Sequence, residues 1–427
     1  MRVIFLLLLT QGILMASMLY KIPYKDRDID IIYEKSSFIP IVSLQLVFTD
    51  AGHLANSKDG LALLSSKLLN EGTLSDGATG FAKKLESSAI ELNAHVGRET
   101  FVIELSALKE QFDKGFGLLQ ELLKEPNYSE DALEQVKRQQ LGYLAQKESD
   151  YDYIASQNLR EILFDNSPLA RAYNGTAKSI DSIKLKDIKE FISKHLGYDN
   201  LIVVVGGDIS KEKVEDDVKK LLPLLPKVAL KELSKIKVSD KKVTRYIAKD
   251  TEQAYIYFGS PFDYSYDAKD QYKAKIAGYI LGGGGFGSRM MEELRVKRGL
   301  TYGAYSMLRR TKVASYLSGY LQTKIATQEE AKEIVQKVVD EFVKDGITAQ
   351  ELKSAKEFLV GSEPLRVESL SQRLHRAFNE YYYNRGLGYS KKELQDIESA
   401  TLEEINEFIK SHKELKDISF AIVTNKD

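Results

Sequence analysis

No cysteine occurs among the 427 residues of this chain. That absence excludes disulfides, thiolate metal sites and cysteine nucleophiles, and leaves the fold to be held by its cores. Histidine is scarce too, with His53, His95, His195, His375 and His412 the complete set and no two of them four apart. A helical pair of imidazoles on one face is therefore excluded. Neither sign of charge is in excess, since 61 basic and 62 acidic residues give a formal net charge of −1. Nucleic acid is thus excluded as the main partner, because affinity for phosphates requires a net basic footprint. No apolar run is long enough to span a bilayer. The stretch from Val3 to Leu9 is interrupted at Thr10-Gln11-Gly12, short of the roughly 20 residues a spanning helix needs.

That N-terminal stretch reads instead as a secretory signal over residues 1–17. Arg2 supplies the positive start, and Met15-Ala16-Ser17 offers small residues for cleavage. An uncleaved anchor is the alternative. The expected location is periplasmic or secreted.

The length suits two domains of about 200 residues each, and the sequence repeats itself at about half its length. Residues 121–125 (ELLKE) precede an amphipathic helix at 129–143, and 341–345 (EFVKD) precede another at 348–359. Likewise 185–194 (LKDIKEFISK) resembles 402–411 (LEEINEFIKS), and apolar strands follow at 201–205 and 418–423. Each half opens on a β-rich segment, 42–48 and 254–259. These patterns predict an α+β fold of two homologous domains, each a mixed, mostly antiparallel sheet flanked by helices. The expected boundaries are 20–227 and 244–427, joined by a Lys- and Ser-rich linker at 228–243.

Several segments together resemble the pitrilysin/insulinase family of zinc peptidases, particularly its mitochondrial-processing-peptidase-like branch. They are 59–73 (DGLALLSSKLLNEGT), 92–100 (LNAHVGRET), Ser167-Pro168-Leu169, Gly175-Thr176, 205–209 (VGGDI) and 281–305 (LGGGGFGSRMMEELRVKRGLTYGAY). The resemblance covers the chain in order after residue 24. It implies a chamber closed by two such subunits or fused halves.

Active members carry H-x-x-E-H on a helix, where two imidazoles hold Zn²⁺ and the glutamate activates its water. Anchored on Gly72-Thr73, the histidine positions fall on Leu63 and Lys67, the base on Ser66, and a later glutamate ligand near Tyr143. None can do its job. The helix keeps an apolar stripe of Leu61, Leu64, Leu68 and Leu69. No metal is expected on this chain. An unorthodox site built from His53 or His95 with a carboxylate such as Glu71 is the alternative.

The resemblance carries substrate-holding residues onto the second half. A family arginine and a tyrosine seven positions on act on the substrate backbone; here they are Arg295 and Tyr302. A guanidinium holds a carbonyl at any pH, and a phenol donates to a developing oxyanion. The bland alternative pairs Arg295 with Glu292 or Glu293 and lets Tyr302 simply pack. Ser288 reads as the N-cap of a helix at 289–298, Gly299 as its stop, and 301–307 as the next strand. Gly282, Gly283, Gly284 and Gly285 read as a substrate-contacting loop or a hinge. Asn93 lies in 93–100, where the family presents an edge strand to which substrate adds; without zinc this edge serves either substrate or only the chamber wall. The implied function is a non-catalytic, peptide-holding subunit paired with a zinc-bearing homologue. A stand-alone peptide-binding or chaperone-like protein and a metalloendopeptidase with an unorthodox site are the rivals.

Overall fold

The structure is a computed structural model that describes residues 17–230 and 233–425. The expected signal segment, apart from Ser17, lies outside the described residues. No described helix is long and apolar enough to cross a membrane.

Two sheets are built on one topology. Strands β1 (Met18–Tyr24), β2 (Arg27–Lys35), β3 (Ile41–Thr49), β4 (Glu91–Val96), β5 (Thr100–Leu108) and β6 (Leu201–Gly207) lie in the order β1-β2-β6-β3-β5-β4. Strands β7 (Thr244–Ala248), β8 (Gln253–Pro261), β9 (Ala304–Arg310), β10 (Ser315–Lys324) and β11 (Ser419–Thr424) lie in the order β7-β11-β8-β10-β9. Apart from the extra edge strand β1, the two orders are the same. In each sheet one pair is parallel, β2 with β6 and β7 with β11, and every other pair is antiparallel. The repeat legible in the sequence is thus an α+β unit used twice. The helices repeat as well: Phe112–Lys124 with Gln328–Asp345, Glu130–Lys147 with Ala349–Gly361, and Leu185–His195 with Leu402–Ser411.

Each sheet packs its own helices on one face. The other face is covered in part by a helix from the opposite half. Leu374, Ala377 and Tyr382 of helix Leu370–Tyr382 pack on Ile32, Val47, Val102, Ile202 and Val204 of the first sheet. Reciprocally, Leu159, Ile162 and Leu163 of helix Tyr151–Leu163 join Tyr316 and Ala421 of the second sheet in one cluster. Burial on both faces explains why β6 (LIVVVGG) is apolar throughout instead of alternating. Glycine permits the close approach: a Cβ on Gly206 would lie 3.0 Å from Leu374, and one on Gly259 would lie 2.8 Å from Leu163.

Polar contacts lock the exchange. Arg373 reaches the buried Glu34 carboxylate at 2.6 Å, Tyr382 donates to Glu99 at 2.8 Å, and Arg98 donates to the Tyr316 hydroxyl at 2.7 Å. A carboxylate as buried as Glu34 requires such a partner. The 228–243 segment has neither helix nor strand among its described residues, yet it is pinned. Ile236 N–H donates to Val313 O at 2.7 Å and Ser239 N–H to Leu163 O at 2.8 Å.

Two expectations shift locally. The strand placed at 301–307 begins only at Ala304, because Thr301 Oγ1 exchanges hydrogen bonds with the main chain of Gly303 and holds a turn there. The helix at 289–298 is one α turn, Arg289–Met291, running into a π-helical turn, Glu292–Val296. Its ends are as expected, with Ser288 capping Met291 N–H and Gly299 at φ +64°.

Candidate functional site

The helix Leu61–Leu69 buries Leu61, Leu64, Leu68 and Leu69 against the first sheet's core, so its scaffold role is intact. Its chemical face is not. Leu63 offers only carbon. Ser66 is buried, and its hydroxyl is turned back on its own helix, donating to Leu63 O at 2.9 Å. Lys67 is a cation. Tyr143, on helix Glu130–Lys147, lies beneath the Lys147 ammonium, 5.4 Å from its ring centre. This donor set does not fit Zn²⁺, which needs imidazole, thiolate or carboxylate.

The alternative donors do not assemble either. Among the described residues no group of three His, Cys, Asp or Glu side chains could hold a metal. His53 sits against Tyr173 with ring centres 5.1 Å apart, and its Nδ1 is buried without a hydrogen-bond partner. Burial, then the charges of Arg160 and Arg98, push its pKa down to about 4. His95 is exposed on β4, and burial raises the Glu71 carboxyl.

Asn93 is exposed on β4, which is the edge of the first sheet. The 93–100 stretch is not one strand, however. It is the end of β4, a turn, and the first residue of β5. The edge is also partly closed by the chain itself. The Asn70 side-chain amide donates to Ala94 O at 2.9 Å and accepts from Ala94 N–H at 2.7 Å. A primary amide used this way supplies the hydrogen-bond pair that an incoming strand would make. Adding a strand across Ala94 requires displacing Asn70, a residue the sequence reading did not single out.

The second half presents its residues openly. Arg295 Nη1 donates to the main-chain carbonyl of Tyr302 at 2.6 Å, and its guanidinium lies over Phe286, 4.5 Å from the ring centre. Glu293 pairs with Lys297 and Arg298, leaving the Arg295 fork to the loop. Tyr302 is 89% exposed and stands clear of the protein. The four glycines divide in role. Gly282 is buried in the π-helical turn Tyr279–Gly283, where a Cβ would come 2.1 Å from Ser306 Oγ. It is therefore a packing glycine. Gly283 is exposed, Gly284 N–H closes the turn on Tyr279 O at 2.8 Å, and Gly285, at φ +56°, faces open space.

Behind this loop the sheet carries an aromatic row that sequence reasoning missed. Tyr257, Tyr320 and Tyr305 are opposite one another in β8, β10 and β9. Their ring centres are 5.6 and 5.5 Å apart, and Met307 continues the exposed face. Asp152, from the exchanged helix Tyr151–Leu163, accepts from Tyr257 at 3.2 Å and from Gln322 at 2.7 Å. Burial raises the Asp152 carboxyl and raises the Tyr257 hydroxyl far above its usual range, so that phenol stays neutral. Tyr305 and Tyr320 sit on one hairpin while Tyr257 comes from an earlier strand, and only the strand register shows that the three align.

This chain, a duplicated α+β unit, matches a known group. Residues 30–177 match Insulinase (Peptidase family M16), and residues 182–359 match the Peptidase M16 inactive domain. The chain belongs to peptidase family M16. It is 43% identical to the Non-peptidase homolog YmxG of Helicobacter pylori over 426 residues, 99% of this chain and 98% of that protein. The solved peptidase M16 inactive domain from Pseudomonas fluorescens superposes with a TM-score of 0.88 at 25% identity, covering 96% of this chain and 98% of that one. A protease from Helicobacter pylori shares the fold with a TM-score of 0.82 at 19% identity, covering 96% and 100% of the two chains.

Proposed function

We propose that this chain is a non-catalytic, substrate-holding subunit of a two-subunit zinc endopeptidase, acting after export to the periplasm or beyond. The observation that carries the reading is the asymmetry between its halves. The positions that would bind zinc hold Leu63, Ser66, Lys67 and Tyr143, while Arg295 fixes the loop that offers the Tyr302 phenol. A side chain that large and that exposed contributes little to the fold, and its hydroxyl is free to donate to a peptide carbonyl. The zinc belongs to a homologous partner subunit. The name of the Helicobacter pylori relative, a non-peptidase homologue, supports the lack of independent activity.

The test is assembly. The purified chain, mixed with a homologue bearing H-x-x-E-H, should elute with it as one complex of equal stoichiometry. Independent elution at micromolar concentration would remove the reading. A second reading, a stand-alone peptide binder, is favoured by the tyrosine row, which provides an exposed aromatic surface needing no zinc. Binding of unfolded peptides by the isolated chain, with no effect on any homologue, would select it. A zinc content of one per chain would instead favour the unorthodox metal site.

A further inference from the structure

An open cleft of about 510 Å³ lies between β9, the edge of the second sheet, and the C-terminal end of the exchanged helix Leu370–Tyr382. Four cations line it, Lys275, Arg309, Arg310 and Arg385, and no carboxylate does. Lys275 is neutralised by Glu393 at 2.6 Å. The three arginines form no ion pair of their own; the Glu393 carboxylate that Lys275 holds also favours the charged form of Arg310. Arg309 Nε donates to Ser318 Oγ at 3.4 Å, Arg310 Nη1 to Gln271 O at 3.1 Å, and Arg385 Nη2 to Tyr266 O at 3.2 Å. All three acceptors are neutral. The ion pairs of the described residues include none of these three arginines.

Two donors at the cleft are left over. Arg385 Nε and Ser306 Oγ are buried without a hydrogen-bond partner. An unmet donor in a buried position is unfavourable, and like charges held together add to that cost. Burial and then the charge of Arg385 depress the Arg310 guanidinium's pKa. Arg309 and Arg310 are neighbours on β9 and point to opposite faces of the strand, so the cleft wraps the sheet edge. Arg385 lies against the Tyr383 and Tyr389 rings. The guanidinium forks, none in an ion pair, are complementary to a planar anion.

We propose that this cleft is a carboxylate-binding subsite, taking an acidic side chain or the free C-terminus of a peptide. Two neighbours make the ligand a peptide. Met307 lines the cleft and lies next but one to Tyr305 on the exposed face of β9, so the cleft continues the tyrosine row. Gly283 also lines it, and Phe286, three residues on, rests on Arg295. The turn Gly283–Phe286 thus links the cleft to Arg295, whose Nη1 holds the Tyr302 carbonyl. The inference takes the peptide-holding reading for the identity of its ligand, and it needs no partner subunit.

Fluorescently labelled peptides of one sequence, titrated into the full chain and followed by anisotropy, test it. One has neutral ends and an internal Gln, one an internal Glu, and one a free C-terminal carboxylate. At least one carboxylate form should bind about tenfold or more tightly than the neutral form, and the better of the two identifies the source. Arg309→Met, an exposed position, and Arg385→Met should each remove that preference, and raised salt should weaken it. Equal binding of all three peptides would overturn the subsite and leave the peptide-holding reading standing. No binding of any peptide would overturn both. A preference that survives both substitutions, or that inorganic phosphate abolishes at a concentration equal to the peptide's, would overturn the assignment to a peptide carboxylate.

Discussion

Arg295 Nη1 holds the main-chain carbonyl of Tyr302 at 2.6 Å while the Tyr302 phenol is left 89% exposed. One residue sets the position of the other. Their effects on peptide cleavage by the paired enzyme should therefore not add. Arg295→Ala and Tyr302→Phe should each lower the rate of a mixture with the zinc-bearing homologue, and the double variant should be little worse than the poorer single one. Multiplying effects in the measured rates would show independent roles. Tyr302→Phe should change stability by under about 0.5 kcal/mol, because the ring is on the surface.

The exchanged helices make the halves interdependent. Leu374 and Leu159 are buried on the sheet of the opposite half. Replacing either by Ala should cost about 2–4 kcal/mol, and calorimetry should show one transition shifted as a unit. Two separated transitions in either variant, one unchanged from the parent, would show that the halves unfold alone.

His53 should mark the acid side of the stability profile. Its folded pKa is about 4 against an ordinary 6.5. Above pH 6.5 both the folded and unfolded states hold it neutral, so it adds no pH dependence there. Below 6.5 the unfolded chain takes up a proton that the folded chain refuses, and stability falls until the folded group titrates near 4. His53→Gln should abolish this part. Compared with the parent, it should gain roughly 2 kcal/mol between pH 7.5 and pH 4.5 in urea unfolding. A pH-independent difference between the two proteins would contradict the assignment.

Asn70 should act as a guard on the first sheet. Asn70→Ala removes both hydrogen bonds to Ala94 and should cost about 1 kcal/mol. It also leaves edge groups of β4 open to another strand. Concentration-dependent association by light scattering should appear in the variant and not in the parent. Unchanged mass at all concentrations would show that the amide is not what keeps the edge closed.

Much of the fold was legible because it is written twice. The paired helices ahead of Leu201 and Ser419 carry the same apolar spacing, and Ser288 caps its helix where a cap is read. The exchange of helices was not legible. The periodicity of 370–382 shows that one face is apolar, but not which sheet it meets. That Leu63, Ser66 and Lys67 offer no set of zinc ligands could be read directly, since residue type alone decides ligation. The Asn70 clamp, the tyrosine row and the basic cleft could not, because each joins residues from separate strands and helices whose register only the folded chain sets. Gly282 shows the same limit: a run of glycines reads as a loop, and here its first member fills a space that Ser306 leaves no wider than a hydrogen atom.

The central claim is that Tyr302 serves a zinc site on another chain. Its most direct measurement is the rate of peptide cleavage by an H-x-x-E-H homologue alone, with this chain, and with its Tyr302→Phe variant. The mixture should exceed the homologue alone, and the variant should bring it down by roughly 10²–10³-fold, or to the homologue's own rate if that is higher, as loss of an oxyanion donor does. A homologue that cleaves equally fast in all three conditions would contradict the claim.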